Sequence, residues 1–196
     1  MLPVACRSTP RDISRAGLQG PYKQQEIEKY RAIFRAGGSQ PGNALRGRVV
    51  FTKTCHQCHT LFNTGGKVGP DLTGSNRGDL DYVLQNIVDP NAVIPNEYRA
   101  STIEAKDGRV LTGIVKEQND KTLTVATANE MLTLARNEID SVQQSQLSMM
   151  PEGLLQPLSD QEVRDLLYYL SRPGQVPLPV AAEVPAAPAR PADGAR

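Results

Sequence analysis

Tryptophan is absent from this chain of 196 residues, and aromatic side chains make up only 5% of it. Whatever core the protein builds must therefore be mostly aliphatic. Histidine occurs only twice, at His56 and His59, which excludes a Ser-His-Asp hydrolase unless one of the pair leaves its local motif. Neither sign of charge dominates, with 22 Lys and Arg against 21 Asp and Glu. Nothing in that balance points to nucleic acid or to an anionic membrane surface. No apolar run is long enough to span a bilayer, so membrane association is not indicated. Met1 to Gly20 also lacks the apolar stretch of a signal peptide.

Cysteine is scarce too, with three in all, but two of them fall in the run Cys55-His56-Gln57-Cys58-His59. This Cys-x-x-Cys-His spacing is the attachment signature of a c-type haem. Two thiols so spaced can form thioethers with the two vinyl groups of one haem. The histidine after the second cysteine then lies under the iron as an axial ligand. Two other readings compete. A structural zinc needs about four ligands, and the remaining candidates are the remote Cys6 and the poorly placed His56. A dithiol redox site of the thioredoxin kind is expected near a βαβ pattern, and none is visible. Cys6 reads as an ordinary thiol in a loose terminus. A lipoprotein cleavage box at Leu2-Pro3-Val4-Ala5-Cys6 would lack the basic and apolar regions that should precede it.

A haem iron with one histidine needs a second ligand or stays open to small molecules. With no third histidine in the chain, a methionine thioether is the natural choice. Of the four methionines, Met1 is terminal and Met131 sits in a strand pattern, where packing is its expected role. Met149 and Met150 lie in the polar loop Ser148-Met149-Met150-Pro151-Glu152-Gly153. Met150 is preferred as ligand because Pro151 stiffens the backbone after it.

The rest of the chain is read from its periodicities. Ile27, Tyr30, Ile33 and Phe34 recur at helical spacing within Gln24 to Arg35, and Gly37-Gly38 ends that helix. Asn43 is an N-cap for a helix leading to the haem motif. Asn63 to Leu72 is a Gly-rich loop without the Lys-Ser/Thr ending of a Walker motif. Asp79 to Val88 reads as a third helix. The pattern then turns strand-like around Asp107-Gly108, Asn119-Asp120 and Asn129-Glu130, with Ile139 to Val142 as a last short strand. Ser159 and Glu162 form a capping box for a final helix, closed by Pro173-Gly174. Val176 to Arg196 is rich in Pro and Ala and reads as a disordered tail.

With these motifs in order, the chain resembles class I cytochrome c. The resemblance rests on Gly47, Phe51, the Cys55 to His59 motif, Gly69-Pro70-Asp71-Leu72, Met150-Pro151 and Tyr169-Leu170. It is closer still to the haem-binding domain of planctomycete and verrucomicrobial proteins, often found at the end of large dehydrogenase-like chains. Ile87-Val88-Asp89-Pro90-Asn91, Asp107-Gly108-Arg109 and Ser148 to Leu154 match that family, and the similarity spans about residues 41 to 172. It implies that the Pro70 carbonyl accepts a hydrogen bond from Nδ1 of His59, and that Gly47 and Phe51 pack the first haem-domain helix across the last, near Tyr169.

The fold expected is mostly α: a class I cytochrome c-like helical haem domain with an inserted small antiparallel β subdomain. Residues 1–40 would form an N-terminal extension with one helix. Residues 41–97 and 146–173 would form the haem domain, 98–145 the insertion, and 174–196 the tail. The leading function is one-electron transfer by a single covalent haem c, whose iron is held by His59 and Met150. The partner would be a redox protein or a fused dehydrogenase module. An alternative is a gas or peroxide sensor or catalyst with a displaceable distal Met, and a third is a zinc-stabilised adaptor. Thioether haem implies maturation outside the cytoplasm, in the periplasm or an equivalent compartment. The chain is accordingly expected to be a fragment of a longer exported protein, or to start further upstream.

Overall fold

A computed structural model describes residues 15–39 and 41–178, with side chains from Gly20 onward. The expectations placed on Cys6, on the start of the chain and on the tail beyond residue 178 lie outside the described residues.

Four helices carry one core. They are α1 (Arg15–Arg35), α2 (Ala44–Thr54), α3 (Leu80–Val88) and α4 (Asp160–Leu170). Their starts follow local chemistry. The Asn43 side chain accepts from the backbone N–H of Arg46 at the head of α2. Asp79 accepts from Asp81 and Tyr82 at the head of α3. The Ser159–Glu162 capping box opens α4 with both reciprocal bonds in place. Each satisfies N–H groups that the first helical turn leaves without partners. The helix α1 begins nine residues before the apolar spacing does and runs through Pro21. Its apolar pattern marks only the part that is buried, where Ile27 and Tyr30 meet the other helices.

The helices α2 and α4 cross at Gly47. A Cβ there would fall 1.9 Å from the Asp165 carbonyl oxygen and 2.7 Å from the Tyr169 Cβ, so only glycine allows this approach. Phe51, one turn on, lies 5.6 Å from the Tyr169 ring, centroid to centroid. Around that pair gather Leu61, Leu84, Val163 and Leu166.

The expectation of a mostly α protein is overturned. The described residues are about 34% helical and 25% strand, with a five-stranded antiparallel sheet beside four helices. Two short strands, β1 (Thr60–Leu61) and β2 (Thr64–Gly65), pair within the loop after the haem motif. The large sheet comprises β3 (Arg99–Ala105), β4 (Val110–Gln118), β5 (Thr122–Ala126), β6 (Met131–Ala135) and β7 (Ile139–Ser148), in the order β6-β5-β4-β3-β7. It has its own core of Ile103, Leu123, Val125 and Leu134. The last strand is the main source of the discrepancy. It was expected to stop near Val142, yet it runs on to Ser148. Residues 143–148 carry no apolar alternation. They are held by ladder bonds to β3 (Thr102 opposite Gln143, Arg99 opposite Ser148), across one register shift between Arg99 and Ser101. Backbone pairing with a distant strand leaves no mark in local periodicity. Met131, expected to pack, is instead 53% exposed on β6.

Candidate functional site

The Cys55 to His59 segment continues the end of α2 as a tight turn. Cys55 and His56 donate their N–H groups to the Phe51 carbonyl, while Cys58 and His59 donate to Cys55. Both thiols are free and half-buried. Burial pushes the Cys55 thiol above its ordinary pKa, against a smaller opposing effect of the Thr54 hydroxyl 3.3 Å away. The His56 and Phe51 rings meet at nearly a right angle, 6.4 Å apart centroid to centroid. Among the described residues, no group of three or more His, Cys, Asp or Glu is arranged to hold a metal ion.

A glycine-rich loop wraps the motif. Gly66 donates to the His56 carbonyl, Gly69 to that of Cys58, and Leu72 to that of Thr60. The loop ends against the His59 ring. A Cβ on Gly69 would lie 2.6 Å from Cε1 and 2.8 Å from Nδ1 of His59, so the absence of a side chain at 69 is what lets the backbone lie on the imidazole. One residue later, the Pro70 carbonyl oxygen is 3.0 Å from His59 Nδ1. A carbonyl only accepts, so Nδ1 carries the proton and Nε2 presents its lone pair. Burial holds the His59 imidazole below its ordinary pKa, and the Pro70 bond offsets only part of that. Burial thus biases the ring toward its neutral form, and Pro70 orients it. This cradle suits an axially ligated iron, with the Pro70 bond raising ligand basicity.

The strand β7 leads Met149 and Met150 into the segment before α4. Both are half-buried. Met150 packs against the helical core that Cys55 also touches, and its N–H donates to the Ser148 hydroxyl. Cys55 and Met150 therefore border one helical core, and His59 and Pro70 are joined by their own hydrogen bond.

Sequence reasoning assigned no role to four polar residues that frame this region. Lys116 of β4 donates to the Val68 carbonyl at 2.9 Å, and Gln57 of the haem motif donates to the Ala128 carbonyl at 3.0 Å. These bonds tie the sheet to the proximal loop. Lys23 and Asn91 reach the methionine loop. Each pairing joins distant parts of the chain, and no local pattern announces it.

No described helix is long and apolar enough to cross a membrane. Comparison with known proteins agrees with the site. Residues 42–110 match the family model described as cytochrome C oxidase, cbb3-type, subunit III. Among solved structures, the pleiotropic translational regulator Hfq aligns at 12% identity over 33% of this chain and 88% of its own, with a TM-score of 0.24. So low a TM-score carries no argument about this fold. The family match and the Cys55 to Pro70 geometry meet in the same segment, and together they support a haem-binding, electron-transfer cytochrome domain there.

Proposed function

We propose that the chain carries one covalent haem c, bound by thioethers at Cys55 and Cys58, with His59 as proximal and Met150 as distal ligand of the iron. It passes single electrons to or from a protein partner or a fused redox module outside the cytoplasm. The finer likeness to the planctomycete and verrucomicrobial haem-binding domain belongs to this reading. When bound, the haem supplies an iron centre that cycles between Fe(III) and Fe(II). The protein's own part is to hold, orient and bury. Cys55 and Cys58 each add their S–H across a vinyl double bond. Pro70 fixes the His59 tautomer and Gly69 confines the ring. Met150 offers a soft, neutral sulfur, a ligand that raises the reduction potential.

The observation that carries this reading is the 3.0 Å contact between His59 Nδ1 and the Pro70 carbonyl in a ring cradle at Gly69. That arrangement prepares Nε2 for a metal and has no evident use in a dithiol or adaptor. To test it, the chain is produced with a c-haem maturation system and extracted with acid–acetone. Colour should stay with the protein, and replacing both Cys55 and Cys58 with Ala should abolish it. Met150→Ala should remove the weak near-infrared Met–Fe(III) band and lower the potential, while Met149→Ala should do neither. Colour lost to the solvent would overturn covalent attachment, and the reverse methionine result would reassign the ligand.

A further inference from the structure

The loop that presents Met150 is held at both ends by one side chain. Asn91, just beyond α3, accepts from the Ser148 N–H through Oδ1 at 2.8 Å. Its Nδ2 donates to Glu152 Oε1 at 2.7 Å. Residues 148 and 152 lie two positions before and two after Met150. The other Glu152 oxygen accepts from Lys23 Nζ of α1 at 2.6 Å. Lys23 also donates to the Val88 carbonyl at the end of α3, at 2.9 Å, and its side chain is only 8% exposed. A lysine this buried needs partners, and both of them flank the methionine loop or its anchor. The helix α1 lies outside the matched segment 42–110, yet it contributes this cation.

We infer that Asn91, backed by Lys23, is a positioning device for the distal ligand: its amide clamps residues 148 and 152 so that the Met150 sulfur is held in place for iron. This rests on the Met150 reading above. An amide suits position 91. One end accepts from a backbone N–H and the other donates to a carboxylate, and the Asn side chain offers both from one planar group. A carboxylate at 91 keeps the acceptor and sets two anions face to face. A ligand loop freed in this way has a larger share of open states, and an external ligand then competes more easily for the iron.

The test uses the full haem-loaded ferric chain at neutral pH. The readouts are the affinity for added imidazole and the near-infrared Met–Fe(III) band. Asn91→Asp is nearly isosteric. It should raise imidazole affinity by about tenfold or more and weaken the band. The double variant Asn91→Asp/Glu152→Gln exchanges donor and acceptor across the same contact and should return the affinity to within about threefold of the parent. Arg31→Met loosens α1 elsewhere, at its pairs with Glu28 and Asp81, and should leave imidazole affinity unchanged. An Asn91→Asp protein that binds imidazole like the parent overturns the inference. So does an Arg31→Met protein with the same gain, because the effect is then general loosening. Failure of the exchanged pair to restore affinity also counts against the clamp. If Met150→Ala leaves the parent's band and imidazole affinity intact, the ligand assignment itself has failed and the clamp falls with it. That outcome is recognisable before any Asn91 variant is made.

Discussion

The Lys116 ammonium donates to the Val68 carbonyl 2.9 Å away, so a strand of the five-stranded sheet grips the loop that places Gly69 and Pro70 on His59. The same ammonium lies 5.0 Å from the centre of the Tyr98 ring, a cation–π distance. Burial lowers its pKa, and no described carboxylate forms an ion pair with it. A half-buried cation that spends its hydrogen bond on a backbone carbonyl serves to fix that backbone. Together with the bond from Gln57 to Ala128, it makes the sheet a brace for the proximal side.

Lys116→Met keeps the stem and removes the donor. The expected cost is about 1.5–3 kcal/mol, the range for a hydrogen bond made by a charged group. It should appear locally as faster amide exchange at residues 69–72, with exchange in α4 unaltered. Amide exchange in the loop identical to that of the parent would sink the brace. Because the sheet offers no histidine and its Met131 is exposed, replacing residues 98–145 with a Gly/Ser linker should loosen this loop yet retain the low-spin spectrum.

The crossing of α2 and α4 sets a second expectation. Gly47→Ala puts a methyl group 1.9 Å from the Asp165 carbonyl oxygen, against backbone that cannot swing aside. The helices must separate, and overpacking of this kind costs about 1–3 kcal/mol or more. Urea unfolding should show the loss despite alanine's better helix propensity, which alone would favour the variant by about 0.8–1 kcal/mol. A variant as stable as the parent would mean that the crossing is looser than described.

How much of this could be read from the sequence depends on how local each interaction is. The caps at Asn43 and Ser159 bond within three residues, so residue type alone announced them, while Asp79, read as the first residue of its helix, is the cap just before it. The five-residue haem motif is local as well, and its partner Pro70 lies only eleven positions on. The residues that hold the two loops are different. Lys23 meets Glu152 129 positions away, and Lys116 meets Val68 48 positions away. A single lysine in a helix or strand reads as a solvated side chain until the fold brings a carbonyl to it. The extension of β7 to Ser148 was hidden for the same reason. Its register is set by β3, and its own residues 143–148 are polar apart from the exposed Leu147. The mostly α expectation failed there, by undercounting strands that only pairing defines.

Asp165 links the two kinds of residue. It is 1% exposed and accepts from the Asn43 N–H at 2.7 Å, from Arg46 Nε at 2.6 Å and Nη2 at 3.2 Å, and from Gln161 at 2.8 Å. It therefore ties the start of α2 to the middle of α4. Asp165→Ala strands the Arg46 guanidinium and an orphaned helix N–H together, and should cost about 3–5 kcal/mol. Arg46 is partly exposed, so the lower end of that range is expected. Equilibrium unfolding measures it. A loss below about 1 kcal/mol, the worth of an exposed pair, would show that water replaces the carboxylate freely.

The ion pair of Lys23 with Glu152 makes stability depend on pH in a defined direction. Hydrogen bonds from Lys23 and then Asn91 hold the Glu152 carboxyl below its ordinary pKa, against a smaller opposing effect of burial. A carboxylate depressed in the folded state binds fewer protons there than in the unfolded chain. Its contribution is thus fully present above the ordinary glutamate value of about 4.3 and fades as pH falls through the lower folded value. Glu152→Gln lacks the titrating group and keeps an acceptor for Lys23. The urea midpoint of the parent should exceed that of Glu152→Gln at pH 7 and at pH 5.5. The gap should close as the pH is taken below about 4, while the other carboxylates titrate alike in both proteins. A gap that persists unchanged at pH 3 would mean that Glu152 is not the group whose charge holds α1 to the methionine loop.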